Sequence, residues 1–512
     1  MQAIQPVSLS RNSQKTSSKK LYYALGFLLI VASILGSFLL INPTIAFTPD
    51  DYLTIGTFAA IGIWSLGALY LTMYNRPFSL NCTHWVFVLF FLCYAPLIQF
   101  LTQSFPGQAD IGAFGVLHLK TNGLIFLWCV FYSLTYFCVS RARSKPPVLR
   151  TGDARPNYQW LVVFCLGCTL LSFATVGASN LLRINGVEAG GNTTEEMGSA
   201  ASLITGTIGR ACPLGAMIIL FVTGRRREPW YYAALACVAA SALLTNFPTA
   251  ITRFLSGSIM ISYVCVALRY RRIPSLWLLL LFWLSFVIAM PFLNLFRTSS
   301  FQDANVSTYK QQDLQSTVTG GDFDAYMMLV ATVSYGEKPD NITWGRQLAG
   351  SLLFFVPRPM WPDKPVGSGT LAVQNTVLSF YNLSEPLPAE GYINFGAAGV
   401  PLFAIVFAWI LAALDKKYWA ENAGVRWARP NLVTVSYPLL IGLVVFIMRG
   451  ALLSSYAYTI GLVGACWISL QIAYLEPAAK KIAKKLSSRV IPYAKQPAAP
   501  LRPTRLHAEP RD

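Results

Sequence analysis

Apolar runs of about twenty residues recur along this chain, separated by short polar segments, and one polar gap is far longer than the others. A run of that length, wound as an α-helix, crosses a hydrocarbon core of about 30 Å. The pattern predicts twelve such spans, at 21–41, 51–73, 85–103, 120–139, 158–178, 201–223, 230–247, 249–268, 275–296, 391–414, 432–448 and 451–475. The segments at 230–247 and 249–268 form a tight hairpin around Asn246-Phe247-Pro248. The long gap, residues 297–390, alternates polar stretches with two shorter apolar ones, Met327 to Val333 and Trp344 to Phe355. The second has the length and amphipathic character of a helix lying on a bilayer surface.

Composition agrees with this pattern. Hydrophobic residues make up 54% of the 512 and charged residues only 12%, against about 25% charged in a soluble domain. The expected fold is therefore an all-α membrane protein of about twelve transmembrane helices. Residues 1–20 are a basic tail, 21–475 a single bundle, 297–390 a long loop within it, and 476–512 a basic, Pro/Ala-rich tail without a packed core. The basic start followed by an apolar run resembles a signal peptide, but the run is too long and lacks a small-residue cleavage site, so it reads as an uncleaved first helix.

Charge sets the orientation. With the N-terminus in the cytoplasm, cytoplasmic segments hold 29 of the 40 Lys and Arg but 7 of the 22 Asp and Glu. The clusters Arg225-Arg226-Arg227, Arg269/Arg271/Arg272 and Lys480-Lys481/Lys484-Lys485 all fall inside, and so does the C-terminus. The net charge of +18 is then a matter of topology and anionic headgroups, and nucleic-acid binding is not needed to explain it. Ten cysteines lie in or beside apolar spans rather than in the long loop, which argues against a disulfide framework. Cys165-x-x-Cys168 sits within a span without partner ligands and reads as packing.

The cations outside the cytoplasmic segments are the candidates for chemistry. Arg210 lies inside a span; Arg253, Arg297 and Arg449 lie at or one turn inside the outer ends of theirs. A charge there is costly unless it faces a polar cavity or a partner, although a single end-of-helix Arg also snorkels to headgroups. Several on one side, from different helices, point to a shared anion. Arginine offers phosphate a planar fork of donors. In the long gap, Arg358 and Lys364 belong to Phe354-Phe355-Val356-Pro357-Arg358-Pro359-Met360-Trp361-Pro362-Asp363-Lys364-Pro365, whose prolines forbid regular helix. Trp361 suits either stacking on a sugar ring or anchoring at the interface.

Acids complete the set. Asp322 and Asp324, in Gly320-Gly321-Asp322-Phe323-Asp324, precede an apolar segment, where a helix dipole alone would favour them. They equally suit sugar binding or proton abstraction from a hydroxyl. Glu390 opens the tenth span at the membrane edge, either as a helix N-terminal acid or as a general base.

Taken together, Asn246-Phe247-Pro248 with Arg253, Phe296-Arg297, Gly321-Asp322-Phe323-Asp324-Ala325, Val356-Pro357-Arg358 through Trp361-Pro362-Asp363-Lys364-Pro365, and Ala389-Glu390-Gly391-Tyr392 with Phe395-Gly396 resemble the Wzy-type oligosaccharide repeat-unit polymerases of bacterial O-antigen and exopolysaccharide pathways. The likeness covers roughly residues 200–460, and the Pro-Arg…Trp-Pro-x-Lys-Pro segment is its most specific part. It implies a membrane glycosyltransferase fold shared with O-antigen ligases, in the bacterial inner membrane, with 297–390 as a periplasmic loop carrying short amphipathic helices. It implies transfer of a growing glycan from undecaprenyl diphosphate to a new lipid-linked repeat unit, with no metal, nucleotide sugar or other cofactor. A flippase and a chain-length regulator are the implied partners. On this reading Arg253, Arg297, Arg358 and Arg449 hold diphosphate, with Arg210 and Lys364 behind them. Trp361 and Tyr392 contact glycan, and Glu390, Asp322 or Asp324 is the base. Ligases typically place a functional His in the long loop, and none of His84, His118 and His507 lies there. A transporter for lipid-linked solutes would be expected to show internal repeats, and none is evident.

Overall fold

The computed structural model describes residues 9–41, 48–76, 78–106, 115–142, 156–182, 200–223, 228–248, 250–251, 253–268, 280, 318–373, 384–421 and 430–475. Among these the chain is helical and contains no strand. The helices longer than five residues are α1 (Leu9–Ser37), α2 (Pro49–Asn75), α3 (Leu80–Thr102), α4 (Gly115–Arg141), α5 (Tyr158–Val176), α6 (Ala200–Thr223), α7 (Pro229–Thr245), α8 (Arg253–Leu268), α9 (Ala325–Tyr335), α10 (Arg346–Leu352), α11 (Leu387–Phe395), α12 (Gly399–Glu421), α13 (Leu432–Arg449) and α14 (Leu452–Ala473).

Eight segments are long and apolar enough to cross a membrane: Lys20–Ser37, Pro49–Tyr74, Leu80–Thr102, Leu117–Arg141, Tyr158–Val176, Leu387–Trp419, Leu432–Arg449 and Leu452–Ala473. Each falls on a span expected from hydropathy. The expected spans 201–223, 230–247 and 249–268 fall on α6, α7 and α8, whose apolar stretches are shorter. The span 275–296 lies outside the described residues apart from position 280.

Helix starts follow from local chemistry. Thr48 and Asp51 form a reciprocal capping box before α2, and Ser79, Asn157 and Asn431 cap α3, α5 and α13 through their side-chain oxygens. Each supplies an acceptor for an N–H that has no partner inside its helix.

Burial sorts the helices into centre and rim. In the most apolar 18 residues of each span, 89% are buried for Leu80–Thr102 and 67% for Leu432–Arg449, against 22–39% for the other six. α3 is thus apolar on every face because protein surrounds it; at 1.5 Å per residue it runs about 34 Å. Rim helices expose Leu28, Leu29, Ile63, Leu71, Val163 and Leu170, the surface a hydrocarbon solvent accepts without cost. α4 packs along α12, α6 along α14, and α8 along α13. The α8–α13 crossing is close because Gly442 meets the Ser258 backbone, and Ser258 Oγ donates to the Gly442 carbonyl at 2.9 Å.

Both ends of α3 are pinned by polar groups. At its start the buried Asp415 of α12 accepts from the Leu80 and Asn81 N–H groups at 2.9 and 3.2 Å, from Tyr136 Oη at 2.7 Å and from Tyr437 Oη. At its end Gln99 Nε2 donates to the carbonyls of Val318 and Phe323 at 2.8 and 3.0 Å. Those carbonyls belong to the turn that carries the candidate acids, so the central helix supports the site directly.

Candidate functional site

Three segments meet at the break between α13 and α14, where Gly450 and Ala451 interrupt an otherwise continuous apolar run. The first is the turn Gly320–Asp324 leading into α9. Arg449, the last residue of α13, threads it. Nη2 donates to Asp324 Oδ1 at 2.8 Å and to the Gly321 carbonyl at 2.7 Å, and Nε donates to the Asp322 carbonyl at 3.0 Å. The Asp324 side chain is fully buried and that of Arg449 is 13% exposed. Burial pushes the Asp324 carboxyl above its ordinary value, and Arg449 and the Ser384 N–H, which donates to Oδ2 at 3.0 Å, pull it back.

The second segment, Ser384 to Glu390, lies against the same break. The Glu385 N–H donates to the Arg449 carbonyl at 3.1 Å. Its carboxyl is fully buried, with Oε1 2.9 Å from Thr332 Oγ1 and Oε2 without a hydrogen-bond partner. One turn on, Glu390 is also fully buried. Its Oε1 accepts the Leu452 N–H at 2.7 Å and its Oε2 accepts Ser368 Oγ at 2.8 Å. Leu452 opens α14, so Glu390 caps that helix across the break, where the positive end of the dipole favours a carboxylate. Gly391 lets α11 approach α12 closely, since a Cβ there would stand 2.6 Å from the Gly399 carbonyl oxygen.

The third segment is the proline-rich one, and it is internally braced. Lys364 Nζ donates to the Phe354 and Val356 carbonyls at 2.6 and 2.9 Å, Arg358 Nη1 to the Lys364 carbonyl at 3.1 Å, and Arg346 Nη2 to the Asp363 carbonyl at 3.0 Å. Burial, then the neighbouring Arg358, holds the Lys364 ammonium below the ordinary lysine value. The Phe354 ring packs on Tyr456 of α14 with centroids 6.1 Å apart. Ser368, four residues beyond Lys364, closes the link to Glu390. Trp344, Leu352, Leu353, Phe355 and Met360 are exposed around this segment, as suits a module resting at an interface.

No family model, curated protein or solved structure matches this chain. Arg449, Asp324 and Glu390 converge on the α13–α14 break, and Asp322 joins them through its carbonyl. Arg358 and Lys364 share the braced segment docked on α14, where Lys364 acts as an internal staple. Trp361 is half-buried within it. Arg210 lies on α6, its Nε buried without a partner and its carbonyl accepting from Asn246 Nδ2 at 2.8 Å. Tyr392 is buried, its ring against Gly336. Arg253 begins α8 with its side chain outside the described set, and Arg297 lies outside the described residues.

Glu385, Ser368 and Gln99 escaped the sequence reading. Gln99 carried a usable signal, a polar side chain inside an apolar run. Glu385 carried a weaker one, an acid directly before a proline that opens a helix. Ser368 carried none. His118, on α4, is also drawn in: its Nδ1 lies 3.1 Å from Tyr326 Oη, which donates to Asn122 Oδ1 at 2.9 Å just behind Asp324.

Proposed function

We propose that this chain is a membrane glycosyltransferase that joins lipid-diphosphate-linked oligosaccharide repeat units on the outer face of a bacterial inner membrane, both termini being cytoplasmic and the bundle having twelve spans. The observation that carries this reading is the placement of Glu390. A buried carboxylate, held by two donors, lies at the same helix break as the Arg449–Asp324 pair and is bonded through Ser368 to the end of the braced segment bearing Arg358 and Lys364. A base and several cations gathered at one end of an apolar bundle suit a reaction in which an alcohol attacks and a lipid diphosphate leaves.

In that reaction the acceptor hydroxyl gives its proton to Glu390 as its oxygen bonds to the anomeric carbon of the donor glycan. The bond from that carbon to the diphosphate oxygen breaks, and its electron pair departs with undecaprenyl diphosphate. Guanidinium groups near the leaving oxygens lower the barrier by stabilising developing charge. Arg358, exposed and engaged through one nitrogen, has donors to spare, and Arg253, Arg297 and Arg210 are the further candidates. Direct displacement inverts the anomeric centre. A flippase would supply the units and a chain-length regulator would limit them.

Deletion followed by glycan analysis tests the reading. Loss of a polymerase leaves single capped repeat units; loss of a ligase accumulates lipid-linked polymer; loss of a transporter traps units inside. Glu390→Ala and Arg358→Ala should each reproduce the single-unit phenotype. Full polymer in both, at normal protein levels, would remove the site assignment.

A further inference from the structure

The carboxyl of Glu385 takes no part in the scheme above, yet it lies wholly inside the cluster that the scheme uses. Two acids act on it, Glu390 from α11 and Asp324 from the turn before α9, while Arg449 at the end of α13 meets it through a backbone carbonyl. Arg449 is committed to Asp324, and Glu390 has the Leu452 N–H and the Ser368 hydroxyl. Among the described residues, no cationic side chain lies within ion-pair distance of Glu385. An isolated buried carboxylate costs enough free energy that such a group takes up a proton instead. The described residues contain no group of three or more carboxylate, thiol or imidazole side chains arranged to hold a metal ion, so a proton is the neutralising species at hand.

The hydrogen-bond geometry accommodates that proton. Thr332 Oγ1 lies 2.8 Å from the Met328 carbonyl oxygen and 2.9 Å from Glu385 Oε1. A hydroxyl has one hydrogen and accepts at its lone pairs. When that hydrogen goes to Met328, which can only accept, the contact with Glu385 is a hydrogen bond if Glu385 is the donor, and so protonated.

We propose that Glu385 is a proton-holding positioning residue: a neutral carboxylic acid that donates to Thr332 and so leaves neighbouring Glu390 as the ionised member of the pair. Two carboxyls in one buried site do not both ionise readily, and the proton resident on Glu385 is what frees Glu390 to accept another from a substrate hydroxyl. Burial, then Glu390, raises the Glu385 carboxyl well above its ordinary value. The consequence for Glu390 rests on the polymerase reading; the proton on Glu385 does not.

The test is infrared difference spectroscopy on the purified full-length chain in lipid nanodiscs at neutral pH, without substrate. The carbonyl-stretch band of a neutral carboxylic acid should be present in the wild type, lost in Glu385→Gln, and retained in Glu390→Gln and Asp324→Asn. Thr332→Val should keep the band but shift it, because the acid loses its acceptor; this variant covers a failure of Glu385→Gln to fold. In cells, Glu385→Gln should still make polymer, the amide standing in for a neutral acid. A band that survives Glu385→Gln but vanishes in Glu390→Gln overturns the assignment, as does loss of polymer in Glu385→Gln at normal protein levels. If deletion of the gene leaves the glycan unchanged while the band follows Glu385, the polymerase reading fails and the proton assignment stands.

Discussion

Replacing Arg449 by Met keeps the aliphatic stem and removes the guanidinium, and so isolates what the charge does at the helix break. Three hydrogen bonds to the Gly320–Asp324 turn disappear, and Asp324, fully buried, keeps only the Ser384 N–H among the donors described above. Breaking a buried pair from one side typically costs about 3–5 kcal/mol, because the remaining charge stays buried without compensation. The companion Asp324→Asn removes that charge. If the cost of the first change arises at Asp324, the double variant should recover part of it, with a coupling of about 1.5–3 kcal/mol, the scale of a hydrogen bond to a charged group. Equilibrium unfolding in mixed micelles with rising denaturing detergent measures all four corners of the cycle. Effects that add to within about 0.5 kcal/mol would refute the reasoning. Arg449 would then act on the turn only through the backbone carbonyls, and the buried ion pair would carry no net weight.

Asp415→Ala should cost at least about 2 kcal/mol, the upper end for a lost helix cap, because it strips the acceptor from two N–H groups and two tyrosines at the start of α3; the same unfolding assay reads it. Gly442→Val should abolish accumulation of folded protein, since its Cβ would enter the Ser258 backbone, a clash that side-chain adjustment does not relieve; detergent-extracted yield and size-exclusion profile check this. Glu385 should give stability a pH dependence. Its folded value is raised above the ordinary 4.5, so its contribution is complete below that pH and is lost as pH rises through the folded value. Glu385→Gln should flatten that decline, and an unchanged slope in the variant would contradict it.

How far the sequence could be read differs from one residue to the next. Hydropathy located α2, α3, α4, α13 and α14 because a hydrocarbon solvent demands long unbroken apolar runs. It could not tell α3, enclosed by protein, from α1, which faces outward, because both are simply apolar. Arg449, Asp324 and Glu390 were legible as charges at the edge of the membrane, where charge is expensive. Their partners were not. Arg449 meets Asp324 across 125 positions and Glu390 meets Leu452 across 62, and no local pattern encodes such separations. Lys364 read as a ligand for phosphate, and the structure finds its ammonium closing a loop on its own backbone carbonyls, an option open to any lysine beside unpaired acceptors.

By itself, then, the sequence determined that this is a helical membrane protein interrupted by one long polar segment, because solvent alone enforces that much. Which acid receives a helix N-terminus, which is paired with arginine, and which is left to hold a proton were decided by tertiary structure. Those outcomes depend on the break between α13 and α14 hydrogen-bonding to both the Gly320–Asp324 turn and the Ser384–Glu390 segment, and ionisation in a buried site is set by such neighbours rather than by residue type.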